Sequence, residues 1–229
     1  MAIEMTQDTR ENPGPLRSFE TDIPQGLLDS VQRGVFRTVY RGRYFLKSPF
    51  DIGIYLQLLS KLKPRTVIEI GFKHGGSALW FADMMTAQGV ADARVIGVDI
   101  EPAVKFSDPR ITFLQGDANR LHEVLPKSLL KGLARPLLVV EDSSHRYQEC
   151  TAVLNYFHDR LRSGDYIVIE DGSVSYFEDG RYAKFEDGPN RAVRDFLTDH
   201  PDNYEIDVEL CDHYGRNVTY NPNGWLRRL

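Results

Sequence analysis

Two apolar runs of the chain end in carboxylates. Leu137-Leu138-Val139-Val140 runs into Glu141-Asp142-Ser143-Ser144-His145, and Ile167-Val168-Ile169 runs into Glu170-Asp171-Gly172. If the two runs are neighbouring strands, Asp142, Glu170 and Asp171 converge at one edge of a sheet. Clustered carboxylates repel unless they are protonated or bridged by a cation. An all-oxygen set with no accompanying cysteine suits Mg²⁺, with Ca²⁺ or Mn²⁺ as alternatives. The ion would hold substrate hydroxyl oxygens and make one easier to deprotonate. His145, three residues past Asp142, is placed to take that proton, as are the carboxylates themselves, Asp142 first among them. The plain alternatives are that Asp and Ser after a strand cap the next helix, and that a lone histidine is a structural hydrogen-bonder.

A second constellation is Val67-Ile68-Glu69-Ile70-Gly71-Phe72-Lys73-His74-Gly75-Gly76-Ser77, a strand running into a glycine turn and then a helix. Glycine lets backbone approach a ligand without a Cβ clash, and ligands of open α/β sheets lie beyond the carboxyl ends of the strands. The spacing Gly71, Gly75, Gly76 is G-x-x-x-G-G, which departs from the dinucleotide fingerprint, and Gly76 rather than Lys precedes Ser77, which departs from the P-loop. Both pyrophosphate readings are therefore weakened. The next strand ends in Gly97-Val98-Asp99, where Asp99 can accept hydrogen bonds from both hydroxyls of a ribose. The strand after it is followed by Gln115-Gly116-Asp117, an acid within reach of an adenine amino group. Single acids at strand ends are often turn formers. Two after successive strands, both downstream of the glycine turn, point to a nucleoside.

These residues require a parallel sheet to bring them to one edge. Strands are expected at residues 66–70, 94–99, 111–115, 137–141 and 166–170, with edge strands at 204–210 and 217–220. Several runs are apolar on both faces, as strands covered by helices on both sides must be. Before the sheet, a helical stretch is expected at 27–40. A second helix should start at Ser48-Pro49-Phe50-Asp51 and run to Leu62, with Ser48 as cap and Ile54, Tyr55, Leu58 and Leu59 facing the core. Residues 1–22 read as a flexible arm and 23–229 as one domain, with 23–62 as its helical cap.

Composition bounds the partners. A net charge of −5 lacks the basic footprint of a nucleic-acid binder, although Arg33, Arg37, Arg41 and Arg43 make a local basic stretch. Two cysteines, Cys150 and Cys211, are too few for a disulfide framework and fit a reducing cytoplasm. Met1 to Pro15 carries no apolar leader-like core and the apolar runs are strand-sized, so neither export nor membrane insertion is expected.

With these motifs in their order, the chain resembles the cephalosporin hydroxylase-like family of S-adenosylmethionine-dependent antibiotic and sugar O-methyltransferases. The resemblance spans Tyr44 to the C-terminus. It is carried by Leu46-Lys47-Ser48-Pro49-Phe50-Asp51, the glycine turn, Gly97-Val98-Asp99, Gln115-Gly116-Asp117, Glu141 to His145, Tyr166 to Asp171 and the closing Asn221-Pro222-Asn223-Gly224-Trp225-Leu226. It implies a Rossmann-like class I methyltransferase, α/β, with a mostly parallel seven-stranded sheet whose last strand is reversed and helices on both faces. It further implies cofactor contacts at Glu69, Gly71 and Asp99, a Mg²⁺ site of Asp142, Glu170 and Asp171, and a homo-oligomer. Together with the residue reading, the expected cofactor set is Glu69, Gly71, Gly75, Gly76, Ser77, Asp99 and Asp117. The expected reaction is Mg²⁺-assisted methylation of a small-molecule hydroxyl, on a sugar or natural product. The rivals are an adenosyl-ligand-binding protein without catalysis and an NAD-dependent oxidoreductase. A true hydroxylase is disfavoured because no 2-His-1-carboxylate set is found. The chain departs from the family in the bulky, basic Phe72-Lys73-His74 and in residues 173–187. There Tyr176, Phe177, Tyr182 and Phe185 would form a lid over the acceptor.

Overall fold

The computed structural model describes residues 17–229. In chain order the elements are α1 (Gln25–Val35), β1 (Val39–Tyr40), β2 (Arg43–Tyr44), α2 (Pro49–Leu62), β3 (Thr66–Ile70), α3 (Gly76–Ala87), β4 (Arg94–Asp99) and β5 (Ile111–Gln115). They continue with α4 (Lys127–Lys131), β6 (Leu137–Glu141), α5 (Tyr147–His158), β7 (Tyr166–Ile169), α6 (Gly188–Asp199), β8 (Tyr204–Ile206), α7 (Val208–Cys211) and β9 (Trp225–Arg228). The main sheet has the order β5-β4-β3-β6-β7-β9-β8, parallel from β5 to β7, with β9 antiparallel to both of its neighbours. The chain winds outward from β3 in both directions, so the ends of β3, β4 and β6 border the crevice where such sheets take ligands.

Successive residues of the central strands serve opposite layers. Ile68, Val139 and Ile167 pack against Phe157 of α5 and Phe196 of α6, while Val67, Leu138 and Val168 pack against Tyr55 of α2 and Phe81 of α3. All of these are buried, which explains strands without a polar face.

Three expectations about elements are corrected. The first helix stops at Val35 rather than Tyr40, because Arg41 and Gly42 take positive φ (49° and 78°) and turn the chain into the β1–β2 hairpin. The edge strand at 204–210 is only Tyr204–Ile206, since Asp207 accepts from Leu210 N and starts the short α7. Residues 217–220 form no strand. Asn217 has φ 50°, its side-chain amide donates to Ser18 O and Glu20 O, and the Thr219 hydroxyl donates to Asp51. Side-chain partners outside the sheet thus win over the β-propensity of Val218 and Thr219, and the last strand is β9. The expected N-terminal arm straddles the boundary of the described residues. Residues 17–22 lie along this same segment, with Arg17 donating to Asn217 and the Thr21 hydroxyl to Asn217 O.

The first turn of α2 joins this segment to the sheet. The N–H of Asp51 donates to the Ser48 hydroxyl at 3.1 Å, the expected cap. The Asp51 carboxylate, 2% exposed, accepts from the Thr219 hydroxyl and from Tyr220 N. Burial pushes this carboxyl up to about 6, against the pull of the Ser48 and Thr219 hydroxyls. A raised folded pKa contributes stability below the unfolded value near 4 that is lost as pH rises through about 6. Asp51→Asn removes that titration. Urea unfolding between pH 4 and 7 should show wild type losing about 3 kcal/mol relative to the variant as pH rises. A difference that stays flat across this window would show that Asp51 is ionised throughout.

Candidate active site

The crevice above β3, β4 and β6 opens into a cleft of about 780 Å³. At its floor Gly71 has φ 94°, its N–H donates to Val98 O at 2.7 Å, and Asp142 N donates to Ile70 O at 2.8 Å. A Cβ on Gly71 would lie 2.1 Å from the Asp142 carbonyl oxygen, so glycine is what allows the β3 turn and the β6 end to cross. Gly71 lines the cleft. The structure places Gly75, Gly76 and Ser77 behind that wall, all buried. Gly75 (φ 74°) starts α3 against Phe106, and a Cβ on Gly76 would meet Tyr44 O at 2.1 Å. Protein packing alone accounts for glycine at these two positions.

Asp99 and Asp117 stand on the cleft wall at the ends of β4 and β5. The Asp99 carboxylate is oriented by backbone, accepting Lys73 N and Glu101 N at 2.8 Å each. Asp117 accepts Asn119 N at 2.8 Å, and this bond holds its carboxyl below the ordinary range. Exposed Ile100 lies beside them as an apolar surface. An apolar patch between two oriented carboxylates suits a base and ribose.

Buried charge dominates the opposite half. Lys47, immediately before α2 and 4% exposed, sends its ammonium to Asp142 Oδ2 at 2.7 Å, Glu170 Oε2 at 2.5 Å and Glu69 Oε1 at 3.5 Å. Tyr55 of α2 donates to the other Glu170 oxygen at 2.5 Å. Glu69 is fully buried, and beyond the long 3.5 Å approach of Lys47 its oxygens make no hydrogen bond among the described residues. One ammonium does not neutralise three carboxylates. Burial pushes Glu69 and Glu170 up and Asp142 up to about 7, in each case against the pull of Lys47.

Asp142, His145 and Asp171 each bring a ligand atom to a common point, all within 4.8 Å of one another, with His145 Nε2 3.4 Å from Asp171 Oδ2. His145 and Asp171 hold left-handed backbone (φ 56° and 59°), a strain of order 1–3 kcal/mol each that tertiary contacts must maintain. His145 Nδ1 is buried and has no hydrogen-bond partner among the described residues. Two cleft-facing carboxylates and a deficit of positive charge fit a hard divalent cation, which takes oxygen ligands, and the imidazole beside them stays free to accept a proton. Of the expected metal acids, the structure brings Asp142 and Asp171 together, while the Glu170 carboxylate lies one layer deeper on Lys47 and Tyr55.

From residues 173–187, Ser173, Val174, Phe177, Tyr182, Lys184 and Phe185 form part of the cleft wall. The Tyr182 hydroxyl accepts from Gln32 of α1 at 2.7 Å, Phe177 meets Tyr182 at 4.9 Å between centroids, and Phe185 stands edge-on to His145 at 5.4 Å. The expected aromatic lid is thus a packed wall against α1, with Phe185 fixing the imidazole.

Sequence reasoning gave Lys47 and Tyr55 no role at the site. Tyr55 fits a core-facing helical stripe, and Lys47 meets its acids 95 and 123 residues away, so neither carries a local signature.

Comparison with known proteins gives a consistent picture. The family model described as Rhamnosyl O-methyltransferase/CmcI matches residues 33–229. The rhamnosyl O-methyltransferase of Mycobacterium leprae (strain TN) is 30% identical over 197 residues, covering 83% of each chain. That of Mycobacterium tuberculosis (strain ATCC 25618 / H37Rv) is 29% identical over 199 residues, 84% of this chain and 78% of its own. Among solved structures, CmcI with Mg and SAM superposes with a TM-score of 0.64 at 26% identity, covering 95% of this chain and 90% of that one. The CmcI apo-structure gives 0.65 at 27%, covering 95% and 89%.

Proposed function

The chain belongs to the rhamnosyl O-methyltransferase/CmcI family, and on that premise we propose how its site works. It is an S-adenosylmethionine-dependent O-methyltransferase acting on a hydroxyl of a sugar or sugar-bearing natural product, with Mg²⁺ as its ion. The observation that carries the site reading is the shared cleft: oriented Asp99 and Asp117 on one side, and Asp142, Asp171 and His145 on the other.

S-adenosylmethionine supplies a methyl group on a sulfonium, and Mg²⁺ supplies positive charge that makes an acceptor hydroxyl easier to ionise. Asp99 holds the ribose hydroxyls and Asp117 the adenine amino group. Gly71 keeps the floor free of side chain, and Glu69 with Gly75, Gly76 and Ser77 shapes the turn from behind. Asp142, Glu170 and Asp171 are the acids proposed for the ion, the first and last facing the cleft and Glu170 fixing Lys47 beneath them. His145 takes the acceptor proton while Phe185 holds its ring in place. The aromatic wall excludes water and aligns the acceptor oxygen for in-line attack on the methyl carbon. The proposal includes a homo-oligomer in the cytoplasm. The buried, unpaired Cys150 and Cys211 support a reducing compartment, and no helix among the described residues is long and apolar enough to cross a membrane.

Calorimetric titration with S-adenosylmethionine and with NAD⁺, each with Mg²⁺ and then with a chelator, tests the assignment. Binding of S-adenosylmethionine and not NAD⁺ is expected, followed by labelled methyl transfer to a rhamnosyl or related glycoside. Preference for NAD⁺ would overturn it.

A further inference from the structure

We infer that Lys73, the basic residue inside the glycine turn, is the anchor for the α-carboxylate of the S-adenosylmethionine tail. This rests on the cofactor reading above and extends it to a residue outside the set expected from sequence.

The charge inventory of the cleft sets the problem. Six carboxylate side chains line it, against two ammonium groups, Lys73 and Lys184. Acids suit the cofactor's sulfonium, its ammonium and the hydroxyls of its ribose. They do not suit its one anionic group, which needs a cation of its own in an otherwise acidic cleft. Lys184 lies on the aromatic wall, its ammonium 4.8 Å from the centre of the Phe185 ring, on the acceptor side. Lys73 lies on the other wall and forms no ion pair among the described residues.

Topology says where the tail must run. β3 lies between β4, which carries Asp99, and β6, which leads into Asp142. A ligand with its ribose on Asp99 and its sulfonium directed at the Asp142 side therefore crosses the end of β3. The amino-acid tail leaves from the sulfonium over the turn Gly71-Phe72-Lys73. That turn is held on both sides of Lys73: its N–H donates to Asp99 Oδ2 at 2.8 Å, and its C=O accepts from Ala103 N at 2.9 Å. Its backbone takes φ 43°, a conformation that favours glycine, yet a long cationic side chain occupies it and is exposed to the cleft. The bond from Lys73 N to Asp99 also couples ribose and tail recognition within one short turn.

The test compares three ligands on the full chain: S-adenosylmethionine, its decarboxylated form, which lacks only the carboxylate, and 5′-methylthioadenosine, which lacks the tail. Lys73→Met should weaken S-adenosylmethionine by about 10-fold to 100-fold, the worth of a charge-assisted hydrogen bond. It should leave the decarboxylated ligand and methylthioadenosine within about 2-fold of wild type, the mark of a lost pairwise contact. Lys73→Arg, which keeps the charge, should recover most of the loss. Unchanged S-adenosylmethionine binding in Lys73→Met overturns the assignment. So does an equal loss for all three ligands, which would make Lys73 a structural part of the turn. If wild type binds none of the three, the cofactor reading itself fails and this assignment falls with it.

Discussion

Lys47→Met should lower the unfolding free energy by about 3–5 kcal/mol at pH 7, the cost of removing one partner from a buried ion pair. The side chain is 4% exposed and faces Asp142, Glu170 and Glu69, so methionine would fill its space and leave three carboxylates without a counter-ion. With total stabilities of 5–15 kcal/mol for such domains, this is a large share. The pH dependence identifies the cause. Burial already raises Glu69 and Glu170 in the folded state, so their charged forms oppose folding once pH exceeds those folded values, and Lys47 is what holds them down. Lys47 itself is raised well above its ordinary value by the acids around it, despite burial, so its contribution is fully present at neutral pH. The gap between wild type and variant should therefore shrink as pH falls toward 4 and the carboxylates take up protons. Urea unfolding at several pH values measures it. A loss below about 1 kcal/mol, or one independent of pH, would mean that the acids do not depend on Lys47.

Asp142→Asn should reduce methyl transfer by about 10²–10⁴-fold, on the scale of losing an oriented electrostatic or proton-transfer group. S-adenosylmethionine affinity should stay within about 3-fold, because Asp99 ends β4 and Asp117 follows β5, both away from Asp142 after β6. Asparagine retains an oxygen for the Lys47 ammonium, now 2.7 Å from Asp142, so the fold is preserved while the cleft loses a charge beside Asp171 and His145. Titration with Mn²⁺ as a paramagnetic probe should show weaker ion binding in parallel. Full turnover in the variant would remove Asp142 from the chemistry. Lost turnover with unchanged ion binding would limit it to orienting the acceptor.

The fold is legible in the sequence where interactions are local. Thr66–Ile70, Arg94–Asp99, Ile111–Gln115 and Leu137–Glu141 have the expected bounds, because apolar β-branched runs between helical stripes leave few other options. Ser48 caps α2 as its position before Pro49 and Asp51 implies. At 217–220 it is not, because strand-forming residues there are claimed by Asp51 and by Ser18 and Glu20, all distant in the chain. The first helix also ends earlier than its sequence suggests, because Arg41-Gly42 within the basic stretch is the turn of a hairpin.

At the site, the sequence by itself determined which residue types stand at the strand ends: a glycine after β3, acids after β4, β5 and β6, and an acid pair after β7. Only the tertiary structure decided their directions. Asp142 and Asp171 gather beside His145, Asp142 also taking the ammonium of Lys47, while Glu69 and Glu170 turn down to that lysine from a different part of the chain. The division has a physical reason. Strand and cap formation depend on neighbours a few residues away, whereas the charge state and orientation of a buried carboxylate depend on whichever cation the packed layers bring within about 4 Å of it.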